Sequence, residues 1–335
     1  MILRKRISIK ILIFYTLIYL LTCFISVFFG SVDLFDIMKT DTDIYSKILQ
    51  IRISNLILVS FVGSCLSICG NVLQNVLKNP LADPFILGIS SGGTCFAAAC
   101  LLFISTNLIF EIPVEASFSI QTFSAFVGCL TSFSILFYLR RRISNFNDDY
   151  IYPIIGIIIN SFFSAIIMFL FAIAKPEKFS EVQNFLMGSI QPISYLEFFL
   201  IFIVCVFPIY KLFNLSNFFS IILFGDDFSK TMGINPEKVR KECIFYVCII
   251  ISVVVSVAGI ISFIGLIVPH VVRKIHRVDH RSEMLICMLI GAIILVNSDT
   301  LARTILKPAQ LPVGIFTAII GAPFLAMILL KRHKI

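Results

Sequence analysis

The feature that most limits what this chain can become is a recurring apolar run: again and again close to 20 residues pass without a charged side chain. A helix of about 20 such residues crosses a hydrocarbon layer of about 30 Å. No water reaches that layer to satisfy unpaired backbone groups, so the spanning elements must close their own hydrogen bonds. With 59% of its residues hydrophobic and 14% charged, the chain has more apolar surface than a soluble core could hide. The reading is an all-α, polytopic membrane protein. Its longest polar stretches, near residues 31–50 and 214–241, are too short for a soluble catalytic domain.

Apolar segments fall near residues 9–30, 54–77, 85–105, 119–139, 151–174, 193–213, 242–258, 260–273, 284–298 and 311–330, which makes ten candidate spans. The first has a basic start like a signal peptide, but its run is too long and lacks a small-x-small cleavage site, so it reads as a retained span. Placing the N-terminus inside and alternating leaves 20 of the 27 basic residues on the inner side and 7 on the outer. The acids divide 9 to 10, so the bias belongs to Lys and Arg, as membrane insertion requires. Both termini are therefore expected in the cytoplasm, and the net charge of +8 reports orientation, not nucleic-acid binding. Residues 242–273 read either as one long span or as two of about 16 residues with a turn near "AGIIS". Two would be short for the layer, so at least one would be broken or incomplete and shielded by neighbours.

Several chemistries lack their residues. No Gly-x-x-x-x-Gly-Lys-Ser/Thr loop is present to cradle a nucleotide phosphate. Ionisable groups are nearly absent from the span centres, which counts against an ion-coupled secondary transporter, the alternative from a different class. "GISSG" at 88–92 fits Gly-x-Ser-x-Gly, but it opens an apolar helix with no strand before it, so Ser90 is a poor nucleophile. His276 and His280, spaced i, i+4 beside Asp279, sit in a basic loop without an evident further metal ligand. The 10 cysteines contain no Cys-x-x-Cys pair and read as small hydrophobes in packed helices.

The stretch "GNVLQNVLKNPLADPFILGISSGG" closely resembles the signature of the FecCD-type permeases, BtuC-like membrane subunits of ABC importers for iron-siderophores, haem and cobalamin. "GIISFIGLIVPHVVRKIHRVDHR" at 259–281 and "NSDTLARTILKPAQLPVGIFTAIIGAPF" at 297–324 resemble the same family, as do "FLMGSI" and "FGDDFSKTMGI" between them. The likeness covers nearly the whole chain in order. It implies one permease domain over residues 1–335 with the type II importer fold of about ten helices. It also implies a second copy of the chain, two cytoplasmic ABC ATPases that bind the ATP and Mg, and an extracytoplasmic substrate-binding protein. No cofactor is expected on the chain itself, and it is expected to be a transport subunit of the inner membrane and not an enzyme.

The resemblance also assigns residues. The polar segment near 214–241 becomes the part that fits the ATPase, through Asp226, Asp227, Phe228, Met232 and Gly233. Asn79 and Leu81, with Ser144 and Asn145 as a second element, become the cytoplasmic gate. Gly88, Gly92 and Gly93 allow close helix packing. Arg52 and Arg303 would meet carboxylates of the binding protein, since a guanidinium can donate two parallel hydrogen bonds to one. In "RISN" at 52–55 the family's second arginine is Asn55. The implied cargo is a metal chelate, with iron-siderophore ahead of haem, cobalamin and oxyanions such as molybdate.

Overall fold

The computed structural model describes residues 8–30, 42–107, 114–143, 151–174, 176–307 and 309–332. Among them the regular structure is helical, and each expected apolar segment coincides in large part with a helix. In chain order the long helices are α1 (Ile9–Phe28), α2 (Thr42–Val76), α3 (Ile89–Asn107), α4 (Val114–Arg142), α5 (Ile151–Ile173), α6 (Pro176–Leu186) and α7 (Tyr195–Leu215). They are followed by the short α8 (Phe219–Leu223) and α9 (Asp226–Thr231), then α10 (Pro236–Ala258), α11 (Ile264–Ile275), α12 (His280–Thr304) and α13 (Val313–Arg332). Among the described residues seven helical stretches are long and apolar enough to cross a membrane, and Ile89–Phe103 and Val313–Met327 are shorter apolar helices. The chain is a multi-pass membrane protein.

Residues 242–273 form two helices, and the division is uneven. The first has 23 residues and the second 12, not two of about 16. α10 begins earlier than hydropathy suggests because Asn235 caps it, accepting the Lys238 amide at 3.2 Å, and Pro236 occupies its first turn. Between the two helices Gly259 has φ 65° and Phe263 φ 72°. A left-handed phenylalanine is costly, and packing must hold it there. The Phe263 ring lies against Gly321, where a side chain on residue 321 would collide with it. Buried residues run through most of α11, so this short helix is shielded as an incomplete span must be.

The chain divides into two compact units, each assembled from separated stretches. The first takes residues 1–71, 189–203 and 261–335. In it α12 packs against α1, α11 and α13. The backbones of α2 and α12 meet at Gly63 and Gly291, and those of α2 and α11 at Gly70 and Gly265. Small residues permit this approach, which replaces a hydrophobic driving force that lipid does not supply.

The second unit takes residues 72–188 and 204–260. α3 and α4 form its main pair, with α10 packed on both. Gly92 faces Ser132 and the Gly128 carbonyl, Gly93 faces Cys129, and Gly88, at φ 77°, lies against Gly156 and Ile159. Gly92→Val is expected to destabilise the protein by about 1–3 kcal/mol, since the new atoms would meet backbone as well as side chain. Thermal unfolding of the detergent-solubilised chain checks it. An unchanged midpoint would show that α3 and α4 can separate freely.

Candidate functional site

The polar segment between α7 and α10 is built as a small, anchored projection. A 3-10 turn (Ser216–Phe218) and α8 lead to Gly225, whose φ of 118° excludes most side chains. α9 follows, and the chain leaves it through Gly233 at φ 77°. Nothing crowds Gly233, so its glycine serves the turn and not packing.

Asp226 and Asp227 begin α9 side by side but do different things. The Asp226 carboxylate accepts from Lys78 Nζ at 2.8 Å and from Arg240 Nη2 at 3.1 Å. Arg240 is buried and also donates through Nε to the Val76 carbonyl at 3.3 Å. Asp226 thus fastens α9 to the end of α2 and to the first turns of α10. Burial alone would raise its pKa, but the hydrogen bonds and charges of Lys78 and Arg240 outweigh this and hold the carboxyl below its usual value. Asp227 is fully exposed, with Lys230 Nζ at 3.8 Å. Phe224, Phe228 and Met232 are also exposed, at 69%, 46% and 59%. The Phe224 and Phe228 rings are 5.5 Å apart. An exposed apolar cluster on a polar segment is the kind of surface that marks contact with a partner or a membrane. Phe224 escaped the sequence reading because it ends an apolar run and looks there like core.

Behind this projection lies a cavity of about 850 Å³, lined by Lys78, Arg140, Tyr152, Asp226, Lys230 and Glu237 among others. At the neighbouring turn the Asn79 side chain accepts the Leu81 amide at 2.9 Å, and the Asn79 carbonyl accepts that of Ala82 at 3.1 Å. Asn79 therefore holds the turn, and Leu81 is half-buried. Asp83 caps the next short turn by accepting the Phe85 amide at 3.1 Å. Ser144 and Asn145 lie outside the described residues.

Arg52 and Arg303 are buried within the first unit. Arg52 donates to the carbonyls of Val27 and Phe28 at 2.8 and 3.2 Å, closing the end of α1 with its guanidinium over Gly30. Arg303 pairs with Asp299 at 2.7 Å and donates to Ser26 Oγ at 3.0 Å. Asn55 Nδ2 donates to the same Asp299 at 3.3 Å. These contacts tie the ends of α1 and α12 to each other and to the body of α2. Arg303→Gln is accordingly expected to cost about 1.5–3 kcal/mol through a lost charged hydrogen bond. A thermal midpoint equal to that of the unsubstituted chain would contradict this.

Sequence reasoning missed a second buried charge cluster. Asn71 Nδ2 donates to Glu283 Oε1 at 2.6 Å, Arg273 Nη1 donates to the same oxygen at 3.1 Å, and His280 Nδ1 lies 3.7 Å from Glu283 Oε2. His276 instead meets Tyr15 at 2.9 Å, so the two histidines face different partners. Among the described residues no three His, Cys, Asp or Glu side chains gather as metal ligands. Ser90 is buried in the first turn of α3, after a 3-10 turn (Pro84–Leu87) and not after a strand.

This arrangement of helices recurs in known proteins. The chain is 26% identical to a solved metal-chelate type ABC transporter in an inward-facing conformation, with a TM-score of 0.81 over 96% of this chain and 99% of that one. It is 32% identical to the ABC transporter permease protein YvrB of Bacillus subtilis over 88% of this chain and 82% of the relative. It is also 32% identical to an iron chelatin transport system permease protein of Helicobacter pylori, over 86% and 83%. The class is thus an ABC-transporter permease, a transport subunit. The model of the FecCD transport family matches residues 13–331, and the chain belongs to that family.

Proposed function

We propose that this chain is the permease subunit of a binding-protein-dependent importer that carries a metal chelate, with an iron-siderophore as the leading cargo. The observation that carries the reading is the near-complete structural match to a metal-chelate type transporter. The relative that bears an iron chelatin name supports the same cargo class. Two copies form the path in the bacterial inner membrane, and two cytoplasmic ATPases, which hold ATP and Mg, drive it. The projection carrying Phe224, Phe228, Met232 and Asp227 seats on the ATPase, and Gly233 sets its exit angle. Asp226 acts behind the contact and holds it in place.

Asn79 and Leu81, with Ser144 and Asn145, border the cytoplasmic gate. The role of Asn79 there is to fix the turn that presents Leu81. Docking of a binding protein on Arg52 and Arg303 would require each guanidinium to leave its present partners. These arginines act on docking by holding the outer helix ends in place.

Reconstitution with the ATPase and binding protein from adjacent reading frames tests the reading. Ferric-siderophore uptake should require ATP, survive an ionophore, and follow the ligand that purifies with the binding protein. Uptake that needs no ATPase and collapses with the ionophore would instead identify an ion-coupled transporter. A cobalamin or haem copurifying in place of a siderophore would change the cargo and leave the machinery intact.

A further inference from the structure

Among the described residues that line the cavity behind α9, Arg140 has donors that its neighbours use only in part. Lys78 and Arg240 are engaged by Asp226. Arg140, at the end of α4, is not matched in this way: among the described residues its carboxylate partner, on Glu237, is 3.7 Å from Nη2, beyond a good hydrogen bond. Nη1 donates to the Ile143 carbonyl at 3.3 Å, while Nε is buried without any acceptor. A guanidinium has five N–H donors in a planar fork. The Tyr152 side chain also takes a hydrogen bond from the guanidinium, its ring centroid lies 5.6 Å away, and the Arg140 side chain is only 13% exposed, so the group is confined.

Asp226, Asp227 and Glu237 also line the cavity, but the helix end just outside it suits an anion that arrives from the bilayer. Arg141 and Arg142 follow on the exposed end of the helix, and Arg142 lies 5.6 Å from the exposed Tyr138 ring. Tyr138 and Ile143 offer apolar contact beside the charges. The inner leaflet carries anionic phospholipids, and basic pockets between helices at that surface bind their head groups. A phosphodiester matches the planar fork through two oxygens at once.

From this geometry we infer that Arg140 and its cavity bind the phosphate of an anionic phospholipid. Glu237 is in the first turn of α10, as Asp226 is in α9, so a lipid seated on Arg140 borders the walls that hold the projecting segment. The inference rests on this end being cytoplasmic, as proposed above, and is independent of the cargo.

Native mass spectrometry of the full-length purified chain, delipidated and titrated with phosphatidylglycerol or phosphatidylcholine, reads the binding directly. Phosphatidylglycerol should be retained in preference. Arg140→Gln should weaken its retention about tenfold or more, the loss expected when a two-pronged charged hydrogen bond is removed. Arg140→Lys should recover only part, because the charge remains without the fork. The exposed Arg141→Gln should change retention by less than twofold. Equal losses in Arg140→Gln and Arg141→Gln would show diffuse surface attraction and overturn the inference. Displacement of the lipid by millimolar inorganic phosphate would make this a soluble-anion site and also overturn it. Thermal midpoints of the variants separate lost binding from lost folding. Siderophore uptake is a separate readout, so failure of the lipid site leaves the importer reading standing.

Discussion

Glu283→Ala is expected to lower the stability of the solubilised chain by about 3 kcal/mol. The physical cause is a carboxylate that is 1% exposed and serves three side chains from distinct places in the sequence. Without it Arg273 loses its ion pair at the end of α11, and the fully buried Asn71 loses its 2.6 Å acceptor. Breaking a buried ion pair usually costs about 3–5 kcal/mol, because the surviving charge keeps its desolvation penalty. Arg273 is 25% exposed, so water recovers part of that penalty and the lower figure applies. Glu283→Gln should cost less, since an amide still accepts from Asn71 although it cannot neutralise Arg273. Scanning calorimetry in detergent reads both variants. Equal midpoints for Glu283→Ala and the unsubstituted chain would mean that α11 is held by its apolar contacts alone.

That cluster shows what a linear reading of the chain can and cannot find. Spans are legible because hydropathy is local: about 20 adjacent residues report their own environment. That two spans within 242–273 would leave at least one incomplete and shielded follows from the same count, although which one does not. Hydropathy marks the membrane, however, and not the helix. α2 begins at Thr42, well before the apolar run near residue 54, because polar and charged side chains continue a helix readily once they leave lipid. α10 likewise begins at its Asn235 cap and not at the first apolar residue.

Pairings between distant residues follow another logic. Asn71 and Glu283 are 212 positions apart, and nothing in either neighbourhood announces the other. Arg303 and Asp299 are one helical turn apart, and their pairing is visible as an i, i+4 spacing. Asp226 and Asp227 look identical in the sequence, although one faces two cations and the other faces solvent. The family likeness marks the segment without dividing the roles inside it. Only the packing of α9 on α10 and on the end of α2 does that.

Asp226→Asn is therefore expected to reduce ATP-driven uptake by at least about tenfold while the chain still inserts and purifies. A tenfold loss corresponds to about 1.4 kcal/mol, within reach of one charge that holds two others. Asparagine keeps the size of the side chain, but Lys78 and the buried Arg240 then lie together with no anion between them. The projecting Phe224, Phe228 and Met232 would lose their fixed direction, so under the proposed function the first step to fail would be the transmission of ATPase closure.

The pH behaviour has a definite sign. The folded carboxyl lies below its ordinary value, so its contribution is fully present above the ordinary carboxylate value of about 3.9. It is lost as pH falls through the depressed value, and uptake between about pH 6 and 8 should not vary on its account. The reciprocal variant Arg240→Ala should lose uptake to a similar degree. Combining it with Asp226→Asn should cost less than the two losses added together, the mark of residues acting on one another. Full additivity, or normal uptake in Asp226→Asn, would show that α9 is positioned by its apolar packing and that the two ion pairs only decorate it.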